Sequence, residues 1–168
     1  AKTFQPIKLQ KSDFTLLKEL TEAVAVSGDE SAVRKIIRKQ LEGLADEVRV
    51  DALGSVIAVK HAKTKPFMRV LLDAHMDEVG FLLTNGSDGI FSFRTVGGVD
   101  GRQLAGKSVW VGKDRVPGVI GAKAIHLLTR EERNRAIQAS SLKIDVGEEN
   151  KGKVKPGDRA SFATKFMH

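Results

Sequence analysis

Two residues with metal-binding chemistry, His75 and Asp77, stand two positions apart shortly after the apolar run Val70-Leu71-Leu72. An imidazole can bind a metal ion, and a nearby carboxylate can hold that imidazole in the tautomer that the metal needs. The position after a predicted buried strand favours a binding site, because the loops at strand ends carry the ligands of α/β sheets. On spacing alone, a structural histidine held by hydrogen bonds is the alternative interpretation.

The remaining histidines are predicted to have no metal role. His126 follows a glycine-rich strand and is predicted to be a hydrogen-bonded structural residue. His61 lies among lysines and is predicted to be an exposed loop residue, and nothing is assigned to the terminal His168. The pair Glu131-Glu132 alternates with arginines, which is typical of a solvated helix rather than of catalytic carboxylates.

The composition is that of a globular protein of 168 residues, of which 41% are hydrophobic and 29% charged. The chain has no cysteine, which excludes disulfides and thiolate metal sites and fits a cytoplasmic location. Its apolar runs fall short of the ~20 residues that cross a bilayer. The net charge is +7, but the basic residues are scattered and only 5% of residues are aromatic. We therefore expect a solvated basic face, with neither a membrane nor a nucleic acid as partner.

Two helices are predicted ahead of the candidate site. Ser12 and Asp13 are suitable N-caps for a helix that ends before Ser27-Gly28. Asp29 or a neighbour can cap a second helix, which closes near Gly43. The apolar residues at helical spacing are Phe14, Leu16, Leu17, Leu20 and Val24 in the first helix, and Val33, Ile36, Ile37, Leu41 and Leu44 in the second.

The hydrophobic period then changes to that of strands. Residues 47–51 alternate like a half-exposed strand, residues 56–59 form a second strand, and residues 70–74 form a third, buried strand. Two helices followed by strands of this kind indicate the opening of an α/β sandwich.

After Gly80 the chain is a series of short β segments separated by glycine turns, which predicts a small β-barrel or sandwich. One helix is expected within it, over residues 131–139. Trp110 is predicted to lie in the core or at a dimer contact, and Asp100 and Arg102 are predicted to pair or to cap a turn. The predicted β segments cover residues 81–83, 90–93, 108–111, 116–120, 143–146 and 160–163.

Several motifs occur in an order that is similar to that of a known family. They are Ser27-Gly28, Asp51-Ala52-Leu53-Gly54-Ser55, Ala74-His75-Met76-Asp77-Glu78-Val79-Gly80-Phe81, residues 96–107, residues 118–128 and Lys155-Pro156-Gly157-Asp158. The third of these resembles the metal-binding signature of the glutamyl and deblocking aminopeptidases, which are cocatalytic metallopeptidases that build tetrahedral particles. The resemblance extends over essentially the whole chain.

The resemblance implies that His75 is a ligand of one metal ion and that Asp77 is the catalytic-site residue that orients it. It implies two divalent metal ions, zinc or cobalt, in a complete enzyme that hydrolyses N-terminal residues from peptides. It also implies a catalytic α/β domain with an inserted, β-rich dimerisation domain. We expect residues 1–80 to begin the catalytic domain, residues 81–165 to form the dimerisation domain and residues 166–168 to start the return to the catalytic domain.

In the family, the other metal ligands and the general base follow the inserted domain, and this sequence ends where that segment is expected to begin. We therefore expect the N-terminal portion of a metallo-aminopeptidase, with at most one weak metal site and no activity as this chain alone. The alternative is a non-catalytic self-association module or a truncated pseudoenzyme. We also expect a homo-oligomer through the β domain, or a complex with a complementary fragment, because residues 70–74 would leave apolar surface uncovered.

Overall fold

A computed structural model describes residues 8–65, 68–134 and 136–167. Within these residues, two helices and a two-stranded sheet precede a closed six-stranded barrel. The elements are α1 (Lys11–Thr21), α2 (Ser31–Leu41), β1 (Glu47–Val50), β2 (Val56–Val59), β3 (Gly80–Ser87), β4 (Ile90–Val96), β5 (Ser108–Val111), β6 (Val116–Gly121), α3 (Arg130–Arg133), β7 (Lys143–Asp145) and β8 (Arg159–Phe162). No described helix is long and apolar enough to cross a membrane.

Both helices predicted for the N-terminal part are confirmed, with shorter bounds. The N-cap of α1 is Gln10, so the predicted caps Ser12 and Asp13 lie inside the first turn, where the Asp13 carboxylate accepts the backbone N–H of Gln10 at 2.7 Å as part of a capping box. In α2 the N-cap is Glu30, and the helix ends before Gly43. The two helices bury a small apolar cluster between them, made of Ala23, Ala25 and Val33 with Leu20, Ala32, Ile36, Ile37 and Met76 packed against it.

The two-stranded sheet is an antiparallel hairpin in which Glu47 pairs with Val59 and Val50 with Val56. Helix α2 supports the turn of this hairpin, because Arg34 Nε donates a hydrogen bond to the carbonyl oxygen of Gly54 at 2.7 Å. All four residues of β1 are exposed, whereas a half-exposed strand was expected from its alternating pattern.

The barrel is closed, in the order β3-β4-β7-β6-β5-β8, and every neighbouring pair is antiparallel. Alternate residues of each strand point inward. The Phe81 ring meets the rings of Phe93 and Phe162 edge-on, at centroid distances of 5.0 and 5.1 Å. The buried core consists of Phe81, Leu83, Phe91, Phe93, Leu104, Val109, Val111, Val116, Ile120, Leu142, Ile144, Val146, Val154 and Ala160. The fold class is therefore the predicted one, the beginning of an α/β domain followed by a small β-barrel.

The prediction of a buried strand over residues 70–74 is wrong for the described structure. The segment belongs to no strand, and Val70, Leu71 and Leu72 are 75%, 88% and 91% exposed. A run of apolar residues indicates that a segment can be buried, but burial also needs a surface to pack against. The described residues place neither a pairing strand nor a packed helix over this run.

Two predictions inside the β region also need correction. The helix expected over residues 131–139 is a single turn, Arg130–Arg133, because Ala139 packs against the barrel core from a separate 3-10 turn, and so short a helix is marginal without packing of its own. Residue 135 and the side chains of Glu132 and Arg133 lie outside the described part. Of the two positions predicted for Trp110, the core is wrong, since Val109 and Val111 on either side of it point inward and Trp110 lies half-buried on the outer face. The dimer contact stays a prediction.

Candidate metal centre

The segment that carries His75 and Asp77 is attached to the connection between α1 and α2. Glu78 forms an isolated parallel bridge with Val26. The Glu78 backbone N–H donates to the Ala25 carbonyl oxygen at 2.8 Å, and the Ser27 N–H donates to the Glu78 carbonyl oxygen at 3.3 Å. The Glu78 carboxylate also accepts the N–H of Ala25 at 3.3 Å. These bonds fix the end of the segment even though residues 70–74 are unpaired.

Met76 determines which way its two neighbours face. Its side chain packs against the apolar cluster between α1 and α2. Successive side chains of an extended chain point to opposite sides, so His75 and Asp77 face away from this cluster. The exposed fractions agree, with the His75 side chain 85% exposed and the Asp77 side chain 40% exposed.

The imidazole of His75 is held on one side only. Its Nδ1 atom lies 2.9 Å from the backbone carbonyl oxygen of Asp77 and 3.1 Å from the Asp77 Oδ1 atom. A carbonyl oxygen can only accept, so Nδ1 carries the proton in this arrangement. The other nitrogen, Nε2, has no hydrogen bond to any described residue and keeps its lone pair for a ligand.

The Asp77 carboxylate has a second partner on its other oxygen. The Ser27 hydroxyl donates to Asp77 Oδ2 at 2.5 Å. This hydroxyl, and next the His75 imidazole, hold the pKa of the Asp77 carboxyl below its usual value. Asp77 therefore stays ionised beside His75, as a partner that orients an imidazole must.

Glu78, the next residue, has the opposite electrostatic character. Burial raises the pKa of its carboxyl, and the hydrogen bond from the Ala25 N–H opposes this shift only in part. The two adjacent carboxyl groups therefore differ, since hydrogen bonds favour the ionised form of Asp77 whereas burial disfavours the ionised form of Glu78.

The barrel reaches this site through β8. Arg159 Nε donates to the Ser27 carbonyl oxygen at 3.2 Å. Gly28 lets the guanidinium come close, because a Cβ atom at this position would lie 2.8 Å from Arg159 Nη2. Gly28 also has a φ of +84°, which disfavours any residue with a side chain.

A cleft of about 1160 Å³ opens beside Gly28 and Arg159, between α2 and the barrel. Its charged lining is mainly basic, which gives the cleft an excess of positive charge. The lining cations are Lys35, Lys113, Arg115, Lys153, Lys155 and Arg159, and the lining carboxylates are Asp29, Asp114 and Asp158.

The other candidate residues lie away from this site. In the range 8–65, 68–134 and 136–167, no three side chains of His, Cys, Asp or Glu are grouped so that they could hold a metal ion. His61 is exposed as predicted, and its Nε2 lies 3.0 Å from Glu47 Oε1. His126 is exposed in a 3-10 turn and bonds no described residue, so the hydrogen-bonded role predicted for it is wrong. His168 lies outside the described residues.

Sequence reasoning found His75 and Asp77 but gave no site role to Ser27, Glu78 or Arg159. Ser27-Gly28 did form one of the motifs, and this was the available signal. The motif did not reveal the partners of Ser27, because Asp77 is 50 residues away in sequence and Arg159 is 132 residues away.

Comparison with known proteins identifies the family. The profile of the M42 glutamyl aminopeptidases matches residues 54–168, which is more than half of the chain. The chain belongs to the M42 glutamyl aminopeptidase family. A second profile, AMPT, matches residues 11–37.

Three proteins similar to this chain illustrate the match. FrvX of Escherichia coli (strain K12) is 36% identical over 143 residues, which are 83% of this chain and 39% of FrvX. The TET aminopeptidase of Thaumarchaeota archaeon SCGC AB-539-E09 has a TM-score of 0.84 at 34% identity, over 94% of this chain and 46% of that chain. TET1 peptidase of Pyrococcus horikoshii has a TM-score of 0.74 at 35% identity, over 91% and 47%. The chain therefore spans less than half the length of each.

Proposed function

We propose that this chain is part of a metal-dependent aminopeptidase, to which it contributes one metal ligand and a β-barrel. The whole enzyme would hydrolyse N-terminal residues from peptides. One observation carries the proposal: in a chain of the M42 family, His75 bonds Asp77 through Nδ1 and leaves Nε2 exposed. That arrangement is the usual one for a metal-binding histidine with a supporting carboxylate.

The donor set fits one corner of a metal site. A neutral imidazole nitrogen is a good ligand for zinc and cobalt, and Asp77 is placed to orient it. A catalytic zinc site needs about three protein ligands, and the described residues offer no group of three. The remaining ligands for two divalent ions would come from outside the described residues, so this chain by itself holds at most one weak site. When bound, such ions polarise a peptide carbonyl and acidify water.

We also propose a homo-oligomer that forms through the barrel, with the catalytic part over residues 1–80, the barrel domain over 81–165 and a return to the catalytic part at 166–168. The similar TET1 peptidase of Pyrococcus horikoshii can assemble into a tetrahedron or a large octahedral shell, which supports this proposal. We further propose that the protein is cytoplasmic and binds neither nucleic acid nor membranes.

The metal role of His75 can be tested by joining this chain to the part of a longer relative that it does not match. Turnover of aminoacyl p-nitroanilides would be measured with Zn²⁺ or Co²⁺, for this chain alone and for a chimera in which it is followed by the part of FrvX that it does not match. We expect no appreciable turnover by the chain alone and clear turnover by the chimera. His75→Ala should reduce the chimera's turnover by more than about 100-fold, beyond the loss typical of a residue that only supports a ligand.

His61→Ala is the matched control, since His61 is exposed and its hydrogen bonds are to the carboxylates of Asp46 and Glu47, away from His75. It should leave turnover unchanged. If the chain alone bound metal tightly and stoichiometrically and also hydrolysed peptides, the proposal that the remaining metal ligands lie outside the described residues would be refuted. An active chimera carrying His75→Ala would refute the metal role.

A further inference from the structure

The Asp77 carboxylate is held at both oxygens by groups from two different parts of the chain. Oδ2 accepts the Ser27 hydroxyl at 2.5 Å, and Oδ1 lies 3.1 Å from His75 Nδ1. Rotation of the carboxylate about its own bond would break both contacts. The hydrogen bond from Ser27 therefore restricts the orientation in which Asp77 meets the imidazole.

The backbone of Ser27 is itself fixed by hydrogen bonds at both its N–H and its carbonyl group. Its N–H donates to the Glu78 carbonyl oxygen at 3.3 Å. Its carbonyl oxygen accepts Arg159 Nε at 3.2 Å, from the first residue of β8 in the barrel. A hydroxyl on so well-anchored a backbone has a defined position relative to Asp77.

We propose that Ser27 is a positioning residue for the metal ligand His75. Ser27 directs the Asp77 carboxylate toward His75 Nδ1, where Oδ1 at 3.1 Å adds to the Asp77 backbone carbonyl at 2.9 Å in keeping the proton on Nδ1 and the Nε2 lone pair free for the metal. Arg159 extends this support to the barrel. The inference rests on the proposed metal role of His75 and adds a residue that strengthens the preference for the Nδ1–H tautomer.

A purely structural role for Ser27 predicts something different. In that case the hydroxyl would only help to join the α1–α2 connection to residues 77–78, and its loss would change stability without changing the imidazole. The tautomer of His75 therefore separates the two roles, and it can be read without metal or substrate.

The experiment is nitrogen-15 NMR of the histidine side chains in this chain, in a buffer alkaline enough to leave imidazoles neutral. The chain has 4 histidines, and His75→Gln assigns the signal of His75. The measured quantity is the ratio of the Nδ1–H to the Nε2–H tautomer. We expect Ser27→Ala and Ser27→Val to lower this ratio by at least about twofold, as for the partial loss of one hydrogen bond.

Ser27→Thr keeps the hydroxyl and differs from Ser27→Val mainly in that group, so it should retain the wild-type ratio. Ser31→Ala is the matched control, because the Ser31 hydroxyl lies 3.4 Å from Asp29 and away from Asp77. Amide spectra of the barrel would confirm folding. If Ser27→Val is misfolded, the tautomer ratio of Ser27→Ala, whose side chain is smaller, tests the proposal.

An unchanged tautomer ratio in folded Ser27→Ala would overturn the proposal, and so would an equal change in Ser31→Ala. Neither result depends on peptide turnover. A failed aminopeptidase test and a failed positioning test are therefore separate outcomes.

Discussion

The carboxylates of Asp77 and Asp100 are each held by more than one hydrogen-bond donor, and they differ in where the donors come from. Asp77 is fixed by Ser27, far away in sequence, and by His75. Asp100 is fixed entirely by Arg102, whose Nη2 lies 2.6 Å from Oδ2 and whose backbone N–H donates to Oδ1 at 3.0 Å. The predicted pairing and capping by Asp100 and Arg102 are therefore both confirmed. The Arg102 side chain and backbone lower the pKa of Asp100 to about 2.

Arg102→Gln should raise the pKa of Asp100 from about 2 toward its ordinary value of 3.8. The backbone N–H of residue 102 remains, so the return is expected to be partial. Because the folded-state pKa is depressed, the ionised carboxylate contributes stability above 3.8, and this contribution is lost as the pH falls toward about 2. The variant should lose it at a higher pH than the wild type.

Carbon-13 NMR titration of the Asp100 carboxyl measures this shift. Arg94→Gln is a suitable control, because Arg94 is an exposed arginine on β4 with no ion pair to Asp100. A pKa that stays at about 2 in Arg102→Gln would show that the guanidinium is not the main cause.

The residues of the candidate site could be predicted from sequence only where their partners are close along the chain. His75 with Asp77 and Asp100 with Arg102 are each two residues apart, so spacing alone suggested that they could interact. Ser27 and Arg159 depend on the joining of β8 to the α1–α2 connection, and no local pattern encodes that contact. Hydrogen bonds across such a distance follow from the fold rather than from the motif.

Among the elements, the barrel strands were predictable and the segment 70–74 was not. Each barrel strand alternates inward apolar residues with outward ones, and its neighbours lie within the described chain. The apolar residues 70–72 carry an equally strong burial signal, but no described element covers them. A sequence pattern specifies which side of a strand prefers burial, whereas the partner surface is a property of the assembled fold.

The junction between the barrel and the α1–α2 connection depends on Gly80, the first residue of β3. A Cβ atom there would lie 2.6 Å from the Ala160 carbonyl oxygen and 2.6 Å from Val26 Cγ2. The Ala160 carbonyl oxygen belongs to the backbone of β8 and cannot move aside as the end of a flexible side chain could. Gly80→Ala is therefore expected to lower the free energy of unfolding by about 1–3 kcal/mol.

Urea denaturation of Gly80→Ala measures this loss, and Gly98→Ala is the matched control. A Cβ atom at Gly98 meets nothing within 4 Å, so its substitution should change stability by less than about 0.5 kcal/mol. Equal effects of the two substitutions would contradict a steric junction at Gly80.

For the molecule as a whole, the exposed run Val70-Leu71-Leu72 is expected to promote association. Contiguous exposed apolar surface of this kind normally marks an interaction site. We expect the chain to associate at micromolar concentration, and the double variant Leu71→Ser, Leu72→Ser to shift it toward the monomer. Sedimentation velocity at several concentrations measures the change.

Leu53→Ser is the control for this experiment, because Leu53 is just as exposed but stands alone in the turn after β1. Single exposed apolar residues are ordinary on protein surfaces, so its substitution should not alter association. A wild-type chain that sediments as a compact monomer at every concentration would count against the apolar run as a contact surface.

The closed barrel has a consequence for how copies of the molecule can meet. A ring of strands has no free edge, so it cannot grow by pairing its backbone with that of a neighbour. Any contact that it makes must use outward side chains such as Ile90 and Val119, which flank Asp145 across β7. Contact geometry would then be adjustable by exchanging surface residues while the strand register stays the same. Among the described strands, the short β1–β2 hairpin keeps free edges, so backbone pairing with another chain remains open to it.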